Sequence, residues 1–231
     1  MVLSGISILF QGINIERLLI GLFQGVKIAA ASVVIGMLIG LLLGILRING
    51  PFWVKGILKL YLELFRIIPL LVWLYVLFYI LPADYELHLS AVMVSIIVFS
   101  AWVAAEFSDL VRSALVSLPA HQRESGMALG LSEGQLYRYI LLPQALKRLI
   151  PGSINLVTRV IKTTSITVMI GVIDVIKVGQ QIIEANNTKA PTTSFWIYGV
   201  IFLLYFLLSY PLSKLAQSLE RRWNVEEGNE V

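Results

Sequence analysis

The sequence has 231 residues, 58% of them hydrophobic and 14% charged, with a net charge of +4. This balance excludes an ordinary soluble domain and points to an all-α integral membrane protein. The positive charge is not gathered into lysine and arginine clusters interleaved with aromatics, so no nucleic-acid partner is expected. Cysteine is absent, which excludes disulfides and thiolate metal sites, and His88 and His121 are too distant in sequence to suggest a metal centre.

The opening stretch MVLSGISILF has neither a basic n-region nor a small-residue cleavage site and reads as a short interfacial lead-in. After it, five segments are long enough to cross about 30 Å of hydrocarbon at about 1.5 Å per residue. They lie near 18–46, 57–81, 89–116, 149–175 and 195–215, so one membrane domain over 1–231 with five transmembrane helices is expected. The first places Ser32, Gly36, Gly40 and Gly44 at four-residue intervals. Such a stripe lets another helix come close, within the subunit or across a dimer. Lys27, on the same helix, either snorkels or faces a bundle partner.

The second segment sets Glu63 and Arg66 three apart, a spacing that pairs them on one helix face. Pro69 cannot donate to the Phe65 carbonyl and is expected to bend the helix just beyond them. In the third segment Glu106, Asp109 and Arg112 recur at three-residue intervals near one face. Ionisable groups at that depth are costly. Two readings stay open: an ion network with Arg66 or Lys59, or direct contact with a transported substrate.

Between the third and fourth segments, 119–143 is the longest polar interruption, yet its residues spell two short helices. Pro119 suits a first helical turn. Gly130 follows Met127, Ala128 and Leu129 where a helix ends in the left-handed conformation that glycine adopts without strain. Ser132 stands three positions before Gln135, the spacing of a capping box, so a second helix begins there and runs towards Leu142.

The fourth segment is the least apolar. Asn155, Thr158, Arg159, Lys162 and Ser165 recur at three- and four-residue intervals, with Thr163 beside them, a polar stripe that marks the expected transport path. Beyond it, 176–187 alternates Lys177, Gln180, Gln181 and Glu184 with apolar residues and reads as an amphipathic helix available to an external partner. The last segment is a plain anchor. No Gly-Lys-Ser/Thr phosphate loop and no GxGxxG occurs, so no nucleotide is expected to bind this chain in the usual way.

The loop is the most specific signal. It reads Glu124, Ser125, Gly126, three residues, Gly130, nine residues, Ile140, Leu141, Leu142, Pro143. This resembles the EAA loop of ABC-importer permease subunits: Glu-Ala-Ala, three residues, Gly, nine residues, Ile, one residue, Leu-Pro. Here Ser125 and Gly126 replace the alanines, keeping the helix slim. The second segment is similar to the Phe-Arg-Gly-Thr-Pro-Leu-Leu of amino-acid permeases but reads Phe65-Arg66-Ile67-Ile68-Pro69-Leu70-Leu71. The third resembles the family's Ala-Tyr-x-x-Glu turn, with Trp102 for tyrosine before Glu106. The fourth resembles Asn, six residues, Lys-Asp-Thr-Ser-Leu, with Thr163 where the family has aspartate.

The resemblance implies a type I importer fold and a polar amino acid as cargo. It implies a cytoplasmic ABC ATPase dimer that binds the ATP and magnesium, a second permease subunit, identical or homologous, and an extracytoplasmic amino-acid-binding protein. This chain would then hold no cofactor and catalyse nothing. Its contacts with the ATPase would come from Glu124, Ser125, Gly126, Gly130 and Pro143. With the loop in the cytoplasm, the inner side of the bilayer collects Arg47, Lys55, Lys59, Arg112, Arg123, Arg138, Lys147, Arg148, Lys214, Arg221 and Arg222. The outer side has only Arg17, Lys177 and Lys189. The positive-inside rule therefore agrees, with the N-terminus outside and the C-terminus cytoplasmic. The rival reading is a self-contained carrier or channel gated by Glu63, Glu106 and Asp109, against which no internal inverted repeat is visible. The loss of aspartate at Thr163 leaves two alternatives, a carboxylate-binding site built on Arg159 or a site held by the partner permease.

Overall fold

A computed structural model describes residues 5–85, 88–186, 188 and 190–228; Lys189, counted above as an outer charge, lies outside them. All secondary structure among the described residues is helical: α1 (Asn14–Asn49), α2 (Phe52–Ile67), α3 (Leu70–Tyr75), α4 (Leu81–Tyr85), α5 (Ala91–Val116), α6 (Ala120–Ala128), α7 (Glu133–Leu136), α8 (Leu142–Thr163), α9 (Val175–Asn186) and α10 (Thr193–Gly228). Among the described residues three helices, α1, α5 and α10, are long and apolar enough to cross a membrane alone, and the number is up to five if each of two bent pairs is one span. The first pair replaces the single bent span expected over 57–81. The chain leaves the helix at Ile68, and Pro69, extended at φ −56°, ψ 137°, starts α3 afresh. The residue before a proline is pushed out of the helical region, and the proline offers no N–H to carry the ladder across.

Two wide π turns, Val76–Ile80 and Tyr137–Leu141, each end two residues before a proline, Pro82 and Pro143. Neither proline can donate to the carbonyl four residues back. Widening the turn just ahead of it lets the chain continue as a helix instead of breaking. As a result α7, its π turn and α8 form one helical run from Glu133 to Thr163.

The chain folds as two compact units, each assembled from three separated stretches. The first comprises Met1–Val33, Ile68–Ser100 and Arg159–Pro211. Its core gathers Ile8, Leu9, Leu18, Val175, Val178, Ile182, Ala190, Ile197 and Ile201. The lead-in is thus a short 3-10 turn, Ser7–Phe10, that inserts Ile8 and Leu9 into this core and leaves Phe10 exposed. The α9 helix is also part of the core. Val175, Val178, Gly179 and Ile182 are buried, and a Cβ on Gly179 would come within 2.6 Å of Ile201 Cδ1. The expectation that 176–187 is free for an external partner is therefore corrected along its apolar face. Its polar edge carries Gln181, whose Oε1 accepts from Arg17 Nη2 at 2.7 Å. Lys27 is exposed and places its ammonium 4.6 Å from the centre of the Phe23 ring.

The second unit comprises Val34–Ile67, Ala101–Thr158 and Leu212–Val231. Here the glycine stripe finds its neighbour within the subunit: a Cβ on Gly40 would lie 2.8 Å from Ala104 O, and one on Gly44 2.7 Å from Val111 Cβ. In the first unit the same stripe starts at buried Ser32, whose hydroxyl donates to Ile96 O at 3.5 Å. The partner is α5 in both cases, so the stripe packs α1 against α5.

Candidate functional site

The polar loop is a braced pair of helices. Pro119, extended at φ −60°, ψ 137°, caps α6 instead of entering its first turn. At the other end Gly130 has φ +78°, Gly130 N donates to Met127 O at 2.9 Å and Leu131 N to Gly126 O at 3.2 Å. This is the Schellman closure, and it needs a left-handed residue where the glycine stands. Ser132 then caps α7 reciprocally with Gln135: Gln135 N donates to Ser132 Oγ at 3.4 Å, and Ser132 N to Gln135 Oε1 at 2.9 Å. Between the helices Arg123 Nη2 and Glu133 Oε1 pair at 2.5 Å, which holds the guanidinium above its ordinary pKa. The loop is tied to its supports as well, with Gln144 Nε2 donating to Gln122 Oε1 at 3.3 Å and Arg148 Nη1 to Ser117 O at 2.6 Å.

The spacing of the motif is a packing code. Gly126 is buried, and a Cβ there would collide with Leu136 Cδ1 and stand 3.3 Å from Ile140 Cδ1. The small residue and the isoleucine fourteen positions later therefore meet inside the loop. Slimness at Gly126 serves the loop's own closure rather than its outer face. Glu124, Ser125, Gly130 and Pro143 remain exposed, as do Met127, Leu129 and Tyr139. The outer surface thus combines an acid with apolar side chains on a scaffold that its own hydrogen bonds hold rigid.

The carboxylates expected near the inner end of the spans form a network with a different centre. Asp109 is its hub: Oδ1 accepts from Arg47 Nη1 at 3.0 Å and from Arg112 Nε at 3.3 Å, and Oδ2 from Arg66 Nη2 at 2.8 Å. Glu106 reaches Arg66 Nε at 3.4 Å. The expected Glu63–Arg66 pair is not formed. Arg66 turns to α5 instead, because two carboxylates there outweigh one local neighbour, and Glu63 lines the adjoining cavity of about 370 Å³. Lys59 lines the same cavity and is not in the network. Arg47, the most buried of the three arginines, is visible in the sequence only as an inside charge. Its partner lies 62 residues away, and no local spacing announces it.

On α8 the polar stripe is narrower than its sequence. Asn155, Arg159 and Lys162 are exposed along one face. The hydroxyls of Thr158, Thr163 and Ser165 donate to Ile154 O, Arg159 O and Lys162 O at 2.9, 2.8 and 2.8 Å, so their protons are spent on the helix itself. The helix then tightens into a 3-10 turn, Thr164–Ile170, and ends at Gly171 with φ +86°. Asp174 begins α9 by accepting from Lys177 N at 2.9 Å, and the pair of helices is bent by 51° across this break. The break and the buried Asp174 replace the uninterrupted span expected over 149–175.

Over residues 32–225 the chain matches the family model described as "Binding-protein-dependent transport system inner membrane component". It is 30% identical over 191 residues to the glutamine transport system permease protein GlnP of Escherichia coli (strain K12), covering 82% of this chain and 85% of that protein. It is 27% identical over 202 residues to the L-cystine transport system permease protein TcyB of Bacillus subtilis (strain 168), covering 87% and 84%. It is 30% identical over 208 residues to the glutamate transport system permease protein GluD of Corynebacterium glutamicum, covering 87% and 73%. Among solved structures, an amino acid ABC transporter crystallised with histidines superposes with a TM-score of 0.85 at 24% identity, covering 96% of this chain and 100% of that one. At that identity the likeness speaks for the fold.

Proposed function

The chain belongs to the family of inner-membrane components of binding-protein-dependent transport systems, and on that premise we propose that it is the membrane-spanning subunit of an ATP-driven amino-acid importer. The observation that carries this is the loop, in which the motif residues build a rigid, outward-facing knob continuous with a membrane helix. In this reading a cytoplasmic ATPase dimer, holding ATP and magnesium, grips the knob around Glu124 and Ser125. A second permease subunit, identical or homologous, completes the path, and an extracytoplasmic binding protein delivers the amino acid. The chain is multi-pass in the cytoplasmic membrane, N-terminus outside and C-terminus inside.

The helical run that begins at Glu133 gives the coupling a physical route, because a displacement of the knob is passed along the same helix to Asn155. Two of the three carboxylates that a self-contained carrier would titrate are engaged in ion pairs, Asp109 by three arginines and Glu106 by Arg66. Glutamine and glutamate are the named substrates of two of these relatives. With an arginine and a lysine on the exposed face of α8, a polar neutral or acidic amino acid fits this chain as well.

Because the sequence has no cysteine, single-cysteine variants report cleanly. Cysteine at Glu124 or Ser125 is expected to cross-link to the ATPase and to react with a membrane-impermeant thiol reagent only from the cytoplasmic side. Labelling from outside, or no cross-link at either position in an assembled complex, contradicts the reading.

A further inference from the structure

The cavity beside the ion network holds more positive charge than the network uses. It is lined by five cationic side chains against two carboxylates, Glu63 and Asp109. Asp109 is already shared by Arg47, Arg66 and Arg112. Lys55 and Lys59, four residues apart on α2, line the same space, and neither has an ion-pair partner among the described residues. Such an excess beside a membrane is unfavourable unless an anion enters to balance it. The other face of α2 indicates where that anion comes from. Trp53, Ile57, Leu60 and Ile67 are exposed there, so a basic and an apolar face run side by side along one helix, as they do in helices lying at a membrane interface. Trp53, in the first turn, is a side chain suited to headgroup depth.

We propose that this cavity binds the phosphate of an anionic phospholipid from the leaflet on the side of the coupling loop, with Lys55 and Lys59 receiving it and the acyl chains lying along the apolar face of α2. The arginines do not need to leave Asp109, since the lysines supply the unbalanced charge. This rests on the membrane orientation proposed above, which puts the cavity on the cytoplasmic side, where basic pockets recruit anionic headgroups.

The test is native mass spectrometry of the full chain from mixed micelles of phosphatidylglycerol and phosphatidylcholine. The wild-type chain is expected to retain phosphatidylglycerol several-fold over phosphatidylcholine. Lys55→Gln with Lys59→Gln should bring that preference to parity, while Lys55→Arg with Lys59→Arg should keep it, which separates loss of charge from loss of fold. No preference in the wild type, or an undiminished one in the glutamine variant, overturns the proposal. Displacement of the lipid by millimolar inorganic phosphate overturns the lipid assignment in favour of a free anion. The readout involves neither ATP hydrolysis nor transport, so its failure leaves the importer reading standing, and a failure of cross-linking to the ATPase leaves this measurement valid.

Discussion

At the scale of single residues, Asp109 and Glu106 differ sharply in what they hold. The Asp109 carboxylate answers three guanidinium groups, whereas Glu106 meets Arg66, an arginine that is 42% exposed, at a longer 3.4 Å. Asp109→Asn should therefore destabilise the protein on the order of 2 kcal/mol, less than a fully enclosed pair because some solvent reaches the site. Glu106→Gln should cost clearly less. Adding Arg47→Met to Asp109→Asn should cost less than the two single changes summed, since the arginine would already lack its partner. Thermal unfolding in detergent ranks the four proteins, and a Glu106 variant weaker than the Asp109 variant would put the hub in the wrong place. Arg66, Glu106, Asp109 and Arg112 are legible in the sequence because charges in a membrane span stand out against their surroundings, whereas Arg47 is not. The pairing is not, since Arg47 and Asp109 come together only through the packing of α1 on α5.

At the scale of elements, the loop is legible in the sequence because its rules are local: a left-handed glycine, a capping box, and fixed distances between them. Gly130→Ala should cost about 1 kcal/mol by forcing a side chain into the left-handed region. Gly126→Ala should be tolerated, because the obstructing atom is the end of the Leu136 side chain and the helix gains propensity. Gly126→Trp should splay α6 from α7 and open the loop to limited proteolysis even without an ATPase present; a Trp variant as resistant as wild type would show that the internal contact is unimportant. The breaks are harder to read. Pro69 announces a bend, but whether a helix bends or stops depends on what receives the freed carbonyls. Pro143 and Pro82 are absorbed by π turns that no periodicity foretells. The amphipathic pattern of α9 is visible, yet which neighbour covers its apolar face is not, because that is decided by Ile197 and Ile201 of α10 and by Leu18 of α1.

At the scale of the whole molecule, Asn155, Arg159 and Lys162 are exposed on one face of α8 and are the proposed substrate contacts. If this subunit binds the substrate carboxylate, Arg159→Ala should reduce uptake of an anionic amino acid at least tenfold, about 1.4 kcal/mol of lost binding. ATP hydrolysis stimulated by the binding protein should persist. Nearly normal uptake in that variant would assign the substrate contact to the partner permease. The most direct measurement of the central claim is uptake, into proteoliposomes containing this chain, its ATPase and its binding protein, of the labelled amino acid that the binding protein holds. The account predicts accumulation that requires enclosed ATP and all the partners and is indifferent to a proton gradient. Accumulation by this chain alone, driven by a proton gradient without ATP, would contradict it.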